Sequence, residues 1–526
     1  MTQSTEMDRL SEKSWTGIWL LGLTVILTIH AVWELLDESP AVWDMAYHQL
    51  QGWRYLAAWQ DGRFFEQFSA LSPYYPPLYY LQEAMVLRVF PATQFLAWLA
   101  NLVGMLLLSF SSYRLAALFM KPAVAVATGW LPLLFPLVVW TSRTSLLDLP
   151  LAGWVAASGY LLVKSNFLQD RSWSLGFGLA CAAGSLTKWT FGLFLILPMA
   201  HVLIYSPHRR KTLLHLAFAS CLALPLVLLW YFPNLESLME RFQMTAQAAV
   251  REGDPGWDHL LGWIYYPRSL ASYYLYFPLT VLGVYGVTIA GRQRQGIHQR
   301  LFQFLWWWLL GGLFFMTLLP AKDPRYIMPL ACPLAILLVA PWRQRDAWVI
   351  GILVLAFLQM LSVSFLIPPL KIVLFEGVQD TDYRSIRQEW VLYQSHYFDI
   401  AGPPRREDWG IEKILDAVGT SGRVGFLPDA ARFNPVTFEL SAVQRKAELE
   451  VIFLWVSQPS AESLSELDFV IGKTGSQGLS YMAAWTQPTY RLLDELNWPL
   501  VDTWLLPDQS RAQLWRNPLT TETPER

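Results

Sequence analysis

WTGIWLLGLTVILTIHAVWELL, Trp15–Leu36, carries no lysine or arginine and a single carboxylate, Glu34. As a helix its 22 residues reach about 33 Å, enough to cross a hydrocarbon layer of roughly 30 Å. The stretch is long, ends without a small-residue cleavage site and is followed by further apolar runs, so it is expected to stay as a membrane helix rather than be removed as a signal peptide. Comparable runs recur near Thr93–Phe110, Ala123–Trp140, Leu146–Val163, Leu175–Thr187, Phe191–Tyr205, Leu213–Tyr231, Tyr274–Ala290, Phe302–Leu319, Tyr326–Ala340 and Ala347–Ile367. The spacing predicts a polytopic α-helical membrane protein of roughly eleven spans.

Composition agrees with that reading. The chain is 54% hydrophobic and only 15% charged, and its 27 tryptophans suit repeated passage through bilayer interfaces. A net charge of −2 offers no basic face, which sets nucleic acid aside as a partner. Cys181, Cys221 and Cys332 all lie in apolar runs and form neither a disulfide framework nor a zinc pattern.

Lysines and arginines concentrate in alternate connections: Arg114–Lys121, Lys164–Arg171, Arg209–Lys211, Arg292–Arg300 and Arg343–Arg345. The positive-inside tendency then puts these loops and the N-terminus in the cytoplasm of a cell, or inner, membrane. The other connections face outward. Residues 1–368 form the membrane domain, with 37–92 as a long first outer loop, and 369–526 follow as an extracytoplasmic α/β domain. In that last part charge rises, and short apolar runs such as RVGFL and DFVIG alternate with helical ones such as IEKILDAV. Within the first outer loop Val42–Trp59 reads as an amphipathic helix lying along the interface, with Asp44, His48, Gln51 and Tyr55 on one stripe. Leu235–Arg251 reads as a second interfacial helix.

Chemistry-bearing residues gather on the outward connections. Asp44 and His48, four apart on one helix face, are either a solvated stripe or part of a site; the pair also suits a divalent metal, with Asp148 as a further ligand, though two or three such groups do not specify one. Pro76 and Pro77 forbid a helix and display Tyr74, Tyr75, Tyr79 and Tyr80 from a stiff backbone, either as a turn or as a surface for a sugar or prenyl chain. In WTSRTSLLDLP, Asp148 stands at the edge of a span with Arg143 as its nearby partner. Lys188, in GSLTKWTF, is either a snorkelling lysine or a site cation. Lys322 and Arg325, in PAKDPRYIMP, put two cations on a short outer turn, where a phosphate is the simplest counter-charge. Asp44, Asp148, Lys188, Lys322 and Arg325 are far apart in sequence yet fall on one face of the topology. That convergence suits a phosphate whose lipid tail stays in the bilayer.

The order of these features resembles the integral-membrane glycosyltransferases of the GT-C fold, in particular the protein O-mannosyltransferase and aminoarabinose transferase family. The resemblance covers Trp15–Ala340: an aspartate after the first span, YPPL, an aspartate opening a later span, a G…LTK segment and K…RY..P. It implies transfer of a sugar from a polyprenyl-phosphate carrier to a lipid, glycan or protein acceptor, with inversion at the anomeric carbon. Asp44 then matches the catalytic aspartate and Asp148 the second acidic position. Lys188, Lys322, Arg325 and Arg143 would meet the carrier phosphate, and His48, Tyr75, Pro76, Pro77, Tyr79 and Tyr326 the substrates. No cofactor is required beyond a possible role for a divalent metal. Aminoarabinose transferases have a lysine before the paired prolines where this chain has Tyr75, and no MIR-type repeat domain is present.

Two other classes compete. A transporter or flippase for lipid-linked sugars would keep ionisable residues near the midplane in two related halves, a pattern this chain lacks. A nucleotide-sugar transferase is suggested by Asp380, Thr381 and Asp382, but no strand precedes them. Gly472, Lys473 and Thr474 look like the tail of a phosphate loop whose first glycine is replaced by Leu467.

Overall fold

The computed structural model describes residues 2–91, 95–290, 299–375, 390–396, 402–454, 459–478 and 482–519. The Asp380–Asp382 triplet lies outside them. The described chain forms two compact units. The first comprises Met1–Trp33, Ala58–Glu83 and Ala97–Pro403, and the second Glu34–Ala57, Ala84–Leu96 and Pro404–Arg526.

The first unit is helical. Seven described helices are long and apolar enough to cross a membrane: Lys13–Leu36, Leu96–Ala116, Arg209–Tyr231, Leu260–Thr288, Gln299–Leu318, Pro324–Trp342 and Asp346–Phe365. The remaining expected spans are shorter. Ala123–Trp140 is broken into Pro122–Trp130, a 3-10 turn and Pro136–Thr141, because Pro132 and Pro136 remove amide donors from the ladder. Asp148–Lys164, Arg171–Ser185 and Ile196–Tyr205 are likewise short, at 17, 15 and 10 residues, and much of the first of them is buried against neighbours. Small residues let these helices approach closely: a Cβ on Gly153 would sit 2.6 Å from the carbonyl oxygen of Gly104 on Leu96–Ala116. Asn101 on that same helix reaches the carbonyls of Thr141, Ser142 and Thr144, at 3.2, 3.2 and 2.9 Å, and so fixes the turn leading to Asp148. An antiparallel pair, β1 (Lys371–Phe375) and β2 (Trp390–Gln394), follows the last span.

The second unit is built on a five-stranded sheet. Its strands are β3 (Ser421–Phe426), β4 (Glu448–Phe453), β5 (Phe469–Lys473), β6 (Leu500–Leu505) and β7 (Arg511–Arg516), in the order β4-β3-β5-β7-β6. β3 runs parallel to β4 and β5, whereas β7 is antiparallel to β5 and β6. Val424, Phe426, Phe469 and Ile471 of the sheet pack on Ile414 and Leu415 of the helix Ile411–Val418 and on Phe438 of Pro435–Gln444. Lys473 is fully buried: its Nζ pairs with Asp508 at 2.6 Å and donates to the Ser476 carbonyl, which accounts for the GKT triplet without a nucleotide.

The first-loop helix spans Trp43–Gln60. Its Ala46 and Leu50 pack on Leu440 of Pro435–Gln444, Thr437 Oγ1 donates to the Ala41 carbonyl at 2.8 Å, and Arg54 pairs with Glu439 at 2.8 Å. The expected water-facing stripe is corrected by the burial of three of its four residues. Asp44 is exposed, but His48, Gln51 and Tyr55 are buried, so that this face of the helix is covered rather than solvated.

Candidate active site

Within the first unit the structure brings Asp148, Lys188, Arg325 and Tyr326 together. Asp148 opens its helix, where the positive end of the backbone dipole favours a carboxylate. Lys188 Nζ donates to Asp148 Oδ1 at 2.7 Å, and the two side chains are 8% and 3% exposed. Arg325 Nε lies 3.9 Å from Asp148 Oδ2 and 3.3 Å from Asp323 Oδ2. The ring of Tyr326 sits beside both cations, 4.8 Å from Lys188 Nζ and 5.7 Å from Arg325 Cζ. Two cations thus meet two carboxylates, with Asp148 between Lys188 and Arg325 and Asp323 on the far side of Arg325.

Local sequence explains each placement. Lys188 is in extended conformation just before a 3-10 turn, and that turn folds Phe191 over Gly184, where a Cβ would lie 2.1 Å from the ring. Leu78 N–H donates to the Leu186 carbonyl at 2.9 Å, which joins the proline-held stretch to the LTK segment. Asp323 accepts from the Arg325 amide at 3.0 Å and caps the turn Pro324–Leu330, while Tyr274 Oη donates to the Pro324 carbonyl at 2.9 Å.

Several expectations need correction. Arg143 is not the ion-pair partner of Asp148: its Nη2 donates to Ser364 at 2.6 Å and its Cζ lies 4.5 Å from the Trp33 ring centroid. Lys322 Nζ donates to the carbonyls of Thr317 and Leu319, closing the C-terminal end of Gln299–Leu318, and its amide donates to Asp254 at 2.8 Å. Burial lowers the Lys322 ammonium to about 8, against the opposing pull of Asp254. Tyr79 and Tyr80 are buried rather than displayed, since the chain turns helical directly after Pro77. Tyr75 stays half-buried, packed edge-on against Tyr74 with ring centroids 4.3 Å apart, and Pro76 and Pro77 are buried beside it.

Asp44 and His48 belong to the second unit. There Asp429 is the neighbour of Asp44, and the Trp43 indole donates to the Asp429 carbonyl at 3.2 Å. Burial pushes the Asp429 carboxyl up to about 7; the nearby Trp43 indole N–H works the other way and the Asp44 charge adds to the rise. Among the described residues no group of three His, Cys, Asp or Glu side chains is placed to hold a metal ion.

Sequence reasoning missed Glu83. Its carboxyl is fully buried, and burial pushes it up to about 8 against the opposing pull of the nearby Ser145 and Tyr79 hydroxyls. The signal available was an acid four residues after Tyr79 in the apolar run LYYLQEAMVL. Asn101 and Tyr274 were also missed, because a neutral side chain inside an apolar run carries no charge pattern.

A helical membrane unit with a buried acid and two cations at a helix start, followed by a C-terminal sheet region, has the GT-C glycosyltransferase fold. The aminoarabinose transferase ArnT from Cupriavidus metallidurans in the apo state shares it, with a TM-score of 0.58 and 14% identity over 98% of this chain and 100% of that one. The same enzyme bound to undecaprenyl phosphate superposes with a TM-score of 0.52, at 15% identity over 97% and 100% of the two chains. Residues 75–235 match the family described as dolichyl-phosphate-mannose-protein mannosyltransferase. Relatives named undecaprenyl phosphate-alpha-4-amino-4-deoxy-L-arabinose arabinosyl transferase include one from Pseudomonas paraeruginosa, 30% identical over 53% of each chain. Another, from Proteus mirabilis, is 25% identical over 48% of this chain and 46% of its own. The matched part spans about half the length of these relatives. Together these findings show the GT-C fold and a likeness, over part of the chain, to the mannosyltransferase family model and to the named arabinosyl transferases.

Proposed function

We propose that this protein moves a sugar from a polyprenyl-phosphate carrier to a lipid, glycan or protein acceptor at the outer membrane face, with inversion at the anomeric carbon. The observation that carries the reading is the buried group of Asp148, Lys188, Arg325 and Asp323, in which two carboxylates hold two cations in fixed positions. A leaving phosphate gains charge as the anomeric C–O bond breaks, and fixed cations in a partly dehydrated site stabilise it most at that moment. Arg325 offers the fork geometry that suits phosphate oxygens, and Lys188 a point charge. Asp148 acts as the positioning residue. Tyr326 bounds the cluster with its ring.

The acceptor oxygen forms the new bond to the anomeric carbon and must lose its proton as it does so. Asp44, exposed and ionisable, is the proposed acceptor of that proton, on its residue type and its order in the chain. Raised burial of the Asp429 carboxyl keeps that neighbour protonated below about pH 7, so a second full charge beside Asp44 is avoided there. In this reading the basic loops and N-terminus face the cytoplasm, and the chain after residue 368 faces outward. The Lys322 ammonium serves the fold of the outer turn, and Arg143 the packing near Trp33.

The test is incubation of purified full-length protein with radiolabelled undecaprenyl-phosphate sugar and a membrane extract. Label should move from carrier to a second component, and Arg325→Gln should lower transfer about 100-fold or more. Label that stays on its carrier in every extract would refute the assignment.

A further inference from the structure

At the other end of the helix Asp148–Lys164, about 24 Å along its axis from Asp148, two basic side chains share an aromatic box and have no polar partner. His201, on Ile196–Tyr205, is 0% exposed, and neither of its ring nitrogens is hydrogen-bonded. Four rings surround it: Phe167 at 6.1 Å, Tyr205 at 4.8 Å, Phe304 at 6.0 Å and Trp307 at 5.8 Å between centroids. Arg300, half-buried, lies with its Cζ 4.3 Å from the centroid of that same Phe167 ring. Its Nε and Nη2 are buried and without a hydrogen-bond partner. These two atoms are the edge of a guanidinium that matches two oxygens of a phosphate or carboxylate.

The backbone is bent to build this arrangement. Asn166, Phe167 and Leu168 are three successive non-glycine residues in left-handed conformation, with φ of 50°, 56° and 66°. Such a run is unfavourable and persists where its surroundings hold it. Here Ser165 Oγ accepts from the Leu168 amide at 2.9 Å, the Leu168 carbonyl meets His215 Nδ1 at 2.9 Å, and Gln169 donates to Thr212 at 2.6 Å. The result is that Phe167 touches both basic groups.

A buried guanidinium edge and a buried imidazole that lack partners are costly. One anion with several oxygens would satisfy both, since a neutral imidazole keeps one N–H to donate. Ile204, Tyr205, Leu213 and Leu214, on the helices beside the box, are exposed and apolar, which provides a seat for hydrocarbon next to the cations. We infer that His201, Arg300 and Phe167 form a binding site for the phosphate of an anionic phospholipid, at the opposite membrane face from the Asp148 cluster. The site is separate from the proposed transfer chemistry and does not depend on it.

The test uses the purified full chain in nanodiscs of phosphatidylcholine with a minor share of phosphatidylglycerol, followed by detergent exchange and native mass spectrometry. Wild type should retain phosphatidylglycerol and lose phosphatidylcholine. Retention should weaken about tenfold or more in Arg300→Met and fall in His201→Phe, with Arg300→Lys intermediate because the charge remains while the fork is lost. Thermal unfolding reports whether each variant is folded; should Arg300→Met not fold, Arg300→Lys and His201→Phe carry the reading. Equal retention of both lipids, or unchanged retention in the folded variants, overturns the proposal and leaves water as the partner of the box. Displacement of phosphatidylglycerol by an equal concentration of inorganic phosphate overturns the lipid assignment.

Discussion

Replacing Lys188 by Met removes one partner of a buried pair and leaves Asp148 facing only Arg325 Nε at 3.9 Å. The charges lie 2.7 Å apart and both side chains are under a tenth exposed, so solvent screening is weak. With an effective dielectric of about 20, the gross attraction at that separation is on the order of 6 kcal/mol. Desolvation offsets most of it, and breaking such a pair on one side costs about 3–5 kcal/mol. Arg325 places Lys188→Met at the lower end of that range. Asp148→Asn should cost about as much, because the ammonium then keeps only the Tyr326 ring, worth roughly 1–2 kcal/mol. The double variant buries no unbalanced pair and should cost less than the two singles summed, by about 2 kcal/mol or more. Thermal and denaturant unfolding of the four proteins in one detergent measures this coupling. Single effects that add to within about 0.5 kcal/mol would refute the pair as an energetic unit.

Two further outcomes concern raised carboxyls. Glu83 takes its proton at about pH 8 when folded and near 4.5 when unfolded, so the native state binds the extra proton between those values and stability falls as pH rises through that window. The decline is about 1.4 kcal/mol per pH unit, and Glu83→Gln should flatten it; an unchanged slope would contradict the buried environment. Asp429 obeys the same sign between its ordinary 3.8 and about 7, with a total of about 4 kcal/mol. Asp429→Asn should remove that slope, and Asp44→Asn should shift it to lower pH by deleting the neighbouring charge; hydrogen exchange in the C-terminal sheet against pH reads both.

How much of this was legible in sequence depended on what each residue does. Apolar run length identified the membrane class, and the strands at RVGFL and DFVIG were found because their composition departs from the runs before them. Asp148, Lys188 and Arg325 stood out as charges at the ends of apolar runs. Their mutual placement followed from topology alone. What failed was contact direction. The i, i+4 spacing of Asp44 and His48 sets a common face but does not say that the face is covered, and the buried His48 shows that it is. Lys322 and Arg143 carry the same charge as Lys188, yet a helix end takes up one and a tryptophan ring with a serine takes up the other. No periodicity marks Glu83 or Asn101, since each is defined by groups distant in sequence. The strand β7, RAQLWR, lacks the apolar density of its neighbours and is ordered by pairing with β5 and β6.

Reconstituted transfer by wild type and Asp44→Asn tests the central claim most directly, using radiolabelled undecaprenyl-phosphate sugar in sealed proteoliposomes and following label in both the carrier and acceptor fractions. The account predicts that wild type moves label onto acceptor with release of carrier phosphate, and that Asp44→Asn binds carrier but transfers about 100-fold to 10,000-fold more slowly. Label that crosses the bilayer still attached to its carrier, or a variant as fast as wild type, would contradict it.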